Sequence, residues 1–141
     1  MSAITVNGSF IYLSIDTEDF ITHLEERNYA LEDIHTFIHE HGEDNFRKYY
    51  EEYVDLGEKH DFSAVDAFIS LFGIDDMVKH FEDAYRGKYG AFRDYAEEHF
   101  ELYWGHQIPN EVSWYIDMDS YSRDLLHSGY HYENDHVFED Y

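Results

Sequence analysis

The 141-residue chain contains no cysteine, one proline and only nine lysines and arginines. Without cysteine the chain can form neither a disulfide framework nor a thiolate site. No apolar run approaches the roughly 18 residues that a membrane-spanning helix needs, and no basic segment followed by an apolar stretch opens the chain. We therefore expect a soluble, non-secreted protein of a reducing cytoplasm with no membrane anchor.

Basic residues are scarce beside 32 aspartates and glutamates, which gives a formal net charge of −23 with histidine neutral. The charge is not gathered in a tail, since residues 1–81 carry −13 and residues 82–141 carry −10. Such self-repulsion destabilises a compact state and is tolerated where the electrostatic field is useful. Duplex DNA carries one charge per about 1.7 Å, so this charge matches roughly 39 Å of duplex. A rigid protein so charged could occupy a DNA-binding groove, whereas direct binding of nucleic acid is not expected because a basic patch is missing.

Aromatic residues are abundant, with 14 tyrosines, 11 phenylalanines and 2 tryptophans. Disordered acidic segments lack aromatic residues because they bury little apolar surface. Hydrophobic residues make up 43% of the chain, which is enough for a core. The composition therefore predicts a folded protein with a highly acidic surface.

Hydrophobic patterning predicts a strand and three helices in the first part of the chain. The β-branched and aromatic run at residues 10–15 predicts a strand, and residues 4–6 before the Asn7-Gly8 turn are its expected hairpin partner. Apolar residues at helical spacing predict three helices. The first covers residues 16–28 and begins at a cap formed by Asp16 or Thr17. The second covers residues 31–41 and ends at Gly42, and the third covers residues 44–56 and ends at Gly57.

The remainder of the chain predicts further helices and a terminal hairpin. Ser63 and Asp66 resemble a capping box that opens a helix closed by Gly73. Further helices are predicted at 75–84, at 92–104 and after an Asp117 cap, with a loop at 86–90, a connector at 105–110 and a hairpin of residues 130–132 and 136–138. We expect a mostly helical α+β fold, with an N-terminal strand-helix region at 1–61 and an acidic helical domain at 62–141. The two regions either form separate units or pack together as one compact unit.

Acidic residues form stripes on two of the predicted helices. Neighbours in such a stripe lie about 5–6 Å apart and repel by about 0.2–0.5 kcal/mol per pair. A solvated helix face or adaptation to high salt would explain one stripe, but for the whole pattern we favour a field that serves binding. The acids predicted to contact a partner are Glu51, Glu52, Asp55 and Glu58, then Glu82 and Asp83, then Asp94, Glu97, Glu98 and Glu101, then Asp117, Asp119 and Asp124.

Other constellations point weakly to metal binding or catalysis. His35 and His39 have the i, i+4 spacing of metal ligands, with His41 nearby, and the Asp117/Asp119 pair is of the kind that binds Ca²⁺. However, the chain has no H-E-x-x-H motif, no EF-hand pattern and no glycine-rich phosphate loop. We expect surface imidazoles, no metal, no cofactor and no catalytic residue, so the chain is not predicted to be an enzyme. A small metal-binding protein stays a second hypothesis.

The segment at residues 81–98, FEDAYRGKYGAFRDYAEE, resembles the ArdA family of antirestriction proteins. That family carries a similar F-x-x-A-Y-x-G-x-Y segment that leads into a D-Y/F-A-E-E helix. Ile108-Pro109, Tyr115-Ile116-Asp117, the Y-S-R-D-L run at 121–125 and a closing hairpin ending in Val137-Phe138 are similar to later family segments. The resemblance covers about residues 62–138, and none of its segments is catalytic.

The resemblance implies a protein from a phage or mobile element that acts in the cytoplasm of a bacterial host. It implies a DNA mimic that occupies the DNA groove of a type I restriction-modification enzyme, often as a homodimer. A third hypothesis is an acidic inhibitor of another DNA-binding protein, such as a nucleoid protein or a CRISPR effector. Charge patterning does not separate these targets, because each presents a basic groove.

Overall fold

The computed structural model describes residues 2–141 and divides the chain into two compact units, Met1–Asp55 and Leu56–Tyr141. Helices dominate, with a short hairpin at the N-terminus and three short strands in the second unit, so the predicted mostly helical α+β fold is confirmed. The division into regions at 1–61 and 62–141 stays a prediction. No helix within residues 2–141 is both long and apolar enough to cross a membrane.

The first unit consists of a β-hairpin followed by helices. Its elements are β1 (Ser2–Val6), β2 (Ser9–Leu13), α1 (Ile15–Glu26), α2 (Leu31–His41) and most of α3 (Glu43–Lys59). Buried apolar residues from all five form its core, namely Ile4, Leu13, Ile21, Leu24, Ile34, Phe37, Ile38, Phe46 and Tyr50. Helix α2 has the predicted bounds and ends at Gly42.

The predicted N-terminal hairpin is confirmed, with Ile4 opposite Ile11 in the antiparallel pair. Asn7 and Gly8 form the turn and have positive φ values of 51° and 81°. A two-residue turn with positive φ at both positions matches the right-handed twist of the paired strands. The strand ends at Leu13 rather than at residue 15, because Ser14 begins the next element.

Ser14 caps α1, so the prediction of Asp16 or Thr17 as the cap was wrong. The Ser14 hydroxyl accepts a hydrogen bond from the Thr17 backbone N–H at 3.2 Å. Thr17 is the third residue inside the helix, where its backbone N–H is one of the free donors that a cap satisfies. The Ser14 hydroxyl in turn donates to the Thr17 hydroxyl at 3.0 Å.

Helix α3 continues to Lys59, so the prediction that Gly57 ends it was wrong. A Cβ atom at Gly57 would lie 2.2 Å from ring carbons of Phe62. Gly57 therefore does not end the helix. Its missing side chain allows the Phe62 ring to approach the helix backbone closely.

The second unit combines helices with a three-stranded sheet. Its elements after α3 are α4 (Phe62–Phe72), a 3₁₀ turn (Ile74–Asp76), α5 (Met77–Ala84), β3 (Tyr85–Lys88), α6 (Phe92–Trp104), α7 (Asn110–Ser113), α8 (Met118–Leu126), β4 (Tyr130–Glu133) and β5 (His136–Glu139). Phe68, Met77, Phe81, Val137 and Phe138 lie in its core. Gly73 closes α4 and Asp117 caps α8 as predicted.

Asp61, not Ser63, caps α4, so the predicted capping box was wrong in its first residue. The Asp61 carboxylate accepts a hydrogen bond from the Ser63 backbone N–H at 3.0 Å. The Ser63 hydroxyl instead contacts the His136 ring, 73 positions further along the chain. Local spacing identified the turn but not the residue that caps it.

The predicted loop at 86–90 was wrong over its first three residues, because β3 pairs antiparallel with β5. The register shifts between Tyr85 and Gly87, and Gly87 has a φ of 118°, which a glycine adopts without strain. The confirmed C-terminal hairpin of β4 and β5 thereby becomes a sheet of order β3-β5-β4. Its central strand buries His136, Val137 and Phe138.

Candidate functional site

All four carboxylates of the predicted stripe on α6 are exposed: Asp94, Glu97, Glu98 and Glu101. The opposite face of the helix is buried through Phe92, Ala96 and Phe100. Rings and aliphatic side chains pack against this face, including Tyr95, Tyr121, Leu125 and Tyr130. Core packing therefore fixes which side of α6 faces solvent, and that side carries the negative charge.

Few basic groups offset this stripe. Arg93 lies between two carboxylates, 3.3 Å from Glu97 and also in contact with Asp119. The Tyr89 hydroxyl donates to Glu98 at 2.6 Å, and this hydrogen bond raises the pKa of Tyr89 to about 12. Within residues 2–141, Asp94 and Glu101 have no ion-pair partner, so one guanidinium serves a region with five carboxylates.

The α3 stripe is less uniform than the α6 stripe. Glu51 is half-buried and accepts a hydrogen bond from Arg27 at 2.8 Å, and this bond raises the pKa of the guanidinium. Glu52 and Asp55 are exposed and have no ion-pair partner in the described part of the first unit. Glu58 belongs to the second unit and is also exposed.

Glu82 and Asp83 lie exposed near the end of α5. Lys59 Nζ donates to Glu82 Oε2 at 3.0 Å, and the His60 Nε2 lies 3.2 Å from the same oxygen. These two hydrogen bonds, that of Lys59 first, lower the pKa of Glu82. Asp83 has no ion-pair partner among the residues that the structure describes.

The three predicted acids of α8 have different local roles. Asp117 caps the helix through hydrogen bonds from the Ser120 hydroxyl at 2.8 Å and from its backbone N–H at 3.1 Å, which lower the pKa of the carboxyl. Asp119 contacts Arg93. Asp124 is exposed, and no cation pairs with it within the described chain.

The negative charge is shared by both units. The first has 13 acidic and 3 basic residues, and the second has 19 acidic and 6 basic residues, giving −10 and −13. Among the described residues, five lysines and arginines lie within 3.8 Å of a carboxylate, namely Arg27, Arg47, Lys59, Arg86 and Arg93. Each unit can therefore receive cationic groups of a partner on carboxylates that have no internal partner.

The histidines do not converge on a metal-ligand set within residues 2–141. That part of the chain has no group of three or more histidine, aspartate or glutamate side chains placed to hold an ion. His39 is exposed, while His35 is half-buried and the His41 ring lies 4.6 Å from that of Phe37.

Sequence reasoning missed a buried hydrogen-bond network around His136. This ring is fully buried, with Nε2 2.8 Å from the Ser63 hydroxyl and Nδ1 2.9 Å from the Tyr85 hydroxyl. Burial lowers the pKa of His136, an effect that the nearby Asp61 carboxylate opposes. The network ties β5 to α4 and β3, and only pairing across the sheet reveals it, since the residues are far apart in sequence.

The sequence model of the family described as Antirestriction protein (ArdA) matches residues 5–139. No curated protein and no solved structure matches the chain. Because the match covers nearly the whole sequence, it extends the resemblance seen at residues 62–138 into the first unit. The chain belongs to the ArdA family of antirestriction proteins.

Proposed function

We propose that this antirestriction protein is a DNA mimic that occupies the DNA-binding groove of a type I restriction-modification enzyme. The observation that carries the proposal is the distribution of exposed carboxylates over both units. Of the thirteen acids predicted to bind a partner, twelve are exposed and Glu51 is half-buried. Inhibition of this kind protects phage or mobile-element DNA by competition, without any covalent step.

Charge complementarity supplies the mechanism. A DNA groove presents lysine and arginine side chains, to which carboxylates accept short, charge-assisted hydrogen bonds. The field of a −23 protein accelerates the encounter with such a groove. The protein acts by occupying the site, and we assign it no catalytic residue and no cofactor.

Internal ion pairs rank the proposed contact residues. Glu51, Glu82, Glu97 and Asp119 each contact a base within the protein. Exposed pairs of this kind are worth only about 0–1 kcal/mol, so a partner's arginine can replace the internal base at small cost. Glu98 and Asp117 have no base in the described chain but accept hydrogen bonds from Tyr89 and Ser120. We propose that the remaining acids make the first contacts, namely Glu52, Asp55, Glu58, Asp83, Asp94, Glu101 and Asp124.

Two other targets share the same chemistry. A nucleoid protein or a CRISPR effector also binds DNA through a basic groove, and an acidic inhibitor of either would use the same carboxylates. A small metal-binding protein is less well supported, because the histidines of the described chain do not converge. Family membership favours a restriction-modification enzyme over these alternatives.

Competition with DNA tests the proposal. A purified type I enzyme is bound to a labelled, unmodified duplex that contains its site, and the protein is added at increasing concentration. We expect release of the duplex with no ternary complex, and protection of unmodified phage in cells that express the protein. A ternary complex of enzyme, duplex and protein would contradict the mimic mechanism. Release from a nucleoid protein or CRISPR effector, but not from the type I enzyme, would select the alternative target.

A further inference from the structure

We propose that the side-chain amide of Asn7 is a site of spontaneous covalent modification, at which the backbone nitrogen of Gly8 displaces ammonia and closes a succinimide ring. The two residues form the turn between β1 and β2. The site lies outside the thirteen acids of the proposed contact surface, so the proposal goes beyond the proposed inhibition and does not depend on it.

The reaction needs water and no enzyme, oxidant or cofactor. The Gly8 nitrogen loses its proton and bonds to the side-chain carbonyl carbon of Asn7, while the bond from that carbon to the amide nitrogen breaks and ammonia leaves. Water then opens the ring at one of its two carbonyl groups. Opening at the former side-chain carbonyl gives aspartate. Opening at the backbone carbonyl gives isoaspartate, in which the chain continues through the side chain.

The Gly8 nitrogen is free to react. The register of β1 and β2 ends with Val6 opposite Ser9, so neither turn residue is paired across the hairpin. Within residues 2–141, the Gly8 N–H makes no backbone hydrogen bond. A Cβ atom at Gly8 would meet no atom beyond its chain neighbours within 4 Å, so the turn has open space on this side. Because Gly8 has no side chain, its peptide group can rotate toward the amide.

The Asn7 amide is accessible to this nitrogen and to water. Asn7 is exposed, and its side chain has no hydrogen-bond partner in the described part of the chain. It also lines an open cleft together with Thr5 of β1 and His35 of α2. Asparagine is among the thermally labile residues of proteins, and here no hydrogen bond restrains the amide.

Three other asparagines have a restrained backbone. Asn45 and Asn110 lie in the helices α3 and α7. Asn28 has a positive φ of 68°, but the N–H of Tyr29, which follows it, donates to the Leu24 carbonyl at 3.1 Å. A helix or a hydrogen-bonded nitrogen therefore restrains the peptide group that follows each of these asparagines.

Asn134 gives the best match to Asn7 and therefore the internal control. It begins the turn between β4 and β5 with a φ of 49°. However, the next residue is Asp135, whose carbonyl oxygen accepts a hydrogen bond from the Tyr89 N–H at 2.8 Å. The Tyr132 hydroxyl donates to the Asp135 carboxylate at 3.1 Å. These contacts and the side chain of Asp135 restrain the turn, so we expect Asn134 to react more slowly than Asn7.

Isoaspartate is expected to destabilise the N-terminal hairpin, whereas aspartate is not. The dipeptide Asp-Gly suits the same turn as Asn-Gly. Isoaspartate adds one carbon to the backbone between the strands, and the register of a hairpin depends on the length of its turn. Ile4 and Leu13 are the buried residues of the two strands, so a change of register removes them from the core. Urea unfolding of fresh and aged protein measures the difference.

Peptide mass spectrometry of the full chain, aged at physiological temperature between about pH 7 and 9, tests the proposal. We expect the peptide with Asn7 to show the mass change of deamidation at least tenfold faster than the peptide with Asn134. The rate should rise with pH, because the attacking nitrogen must lose its proton. Chromatography against synthetic standards should detect isoaspartate at position 7. Aspartate alone, as direct hydrolysis of the amide would give, or equal rates at the two asparagines would overturn the proposal.

Two matched variants change the residues that follow these asparagines. Gly8→Ala is expected to slow the reaction at Asn7 tenfold or more, and Asp135→Gly is expected to accelerate the reaction at Asn134. Circular dichroism checks that each variant folds, and Asp135→Gly keeps the test decisive if Gly8→Ala disturbs its turn. An unchanged rate at Asn134 in Asp135→Gly would overturn the proposal. Because no restriction enzyme is present, failure here is distinct from failure of the proposed inhibition.

Discussion

The Ser63 hydroxyl lies 2.8 Å from Nε2 of His136, a ring with no exposure to solvent. The Tyr85 hydroxyl approaches Nδ1 on the other side at 2.9 Å. A hydroxyl can donate or accept, so the neutral ring has a partner at both nitrogens. Protonation would place a charge where water cannot reach it, which makes the network sensitive to acid.

Unfolding is expected to become easier as the pH falls below about 6.5, the ordinary pKa of histidine. Burial lowers the pKa of His136 in the folded protein, so the unfolded chain binds the proton more readily. The stabilisation that the neutral His136 ring provides is therefore complete above the pKa of histidine in the unfolded chain. It is lost as the pH falls through the lower pKa of His136 in the folded protein.

Urea unfolding of the wild type, His136→Gln and His106→Gln between pH 7.5 and 5 measures this effect. His106 is exposed and serves as the control. We expect His136→Gln to be less stable at pH 7.5 but to lose less stability on acidification than the wild type. An unchanged pH dependence in His136→Gln would show that other groups control acid sensitivity.

Gly57→Ala is expected to destabilise the protein, although alanine favours helices by up to about 1 kcal/mol over glycine. The new Cβ would lie 2.2 Å from the Phe62 ring, and such overpacking costs about 1–3 kcal/mol. In a Phe62→Ala background the clash is gone, and the same substitution is expected to stabilise. Urea unfolding of the wild type, the two single variants and the double variant measures the effect of Gly57→Ala on the free energy of unfolding in each background. A destabilising effect in both backgrounds would contradict the prediction.

Neutralising the whole α6 stripe is expected to weaken binding to a type I enzyme tenfold or more, roughly 1.4 kcal/mol. The variant combines Asp94→Asn with glutamine at Glu97, Glu98 and Glu101, whereas Glu97→Gln alone is expected to have little effect. Many carboxylates share the contact, so one loss is compensated by the others. Binding is measured by competition with duplex DNA at several salt concentrations.

A charge-matched control removes four exposed acids outside the proposed contact set. Asp19→Asn with glutamine at Glu25, Glu26 and Glu32 changes the net charge equally. We expect a smaller loss of affinity, which disappears as salt screens long-range attraction. Equal losses at high salt would mean that total charge, not the α6 stripe, determines binding. Loss of all inhibition by Glu97→Gln alone would instead indicate a focused site.

Moderate NaCl is expected to raise the melting temperature. Like charges on both units repel at low ionic strength, and the Debye length falls from about 30 Å at 0.01 M to about 3 Å at 1 M. Mg²⁺ should act at lower concentration than Na⁺ because it screens more strongly. Calorimetry across this range measures the effect, and a melting temperature independent of salt would mean that the acids are already compensated.

Element types followed from the sequence wherever the residues that specify them are local. The bounds of α2 and α6, both hairpins and the Asp117 cap were predicted because turn residues, caps and apolar periodicity act over a few positions. The exposure of the acidic side chains could also be predicted from the sequence, because carboxylates without buried partners remain at the surface of a folded chain. Their individual roles in binding stay predictions.

Tertiary structure decided the features that depend on distant residues. The glycine-containing segment that the sequence predicts as a loop is a strand because β3 pairs with β5. Gly57, which the sequence predicts as a helix stop, lies within the helix at the point where the Phe62 ring approaches its backbone. Packing also decided which acids pair with a base of the chain. Glu51 pairs with Arg27, whereas Asp94 has no ion-pair partner among residues 2–141. Sequence spacing contains no record of such contacts, because their free energy depends on chain segments that only folding brings together.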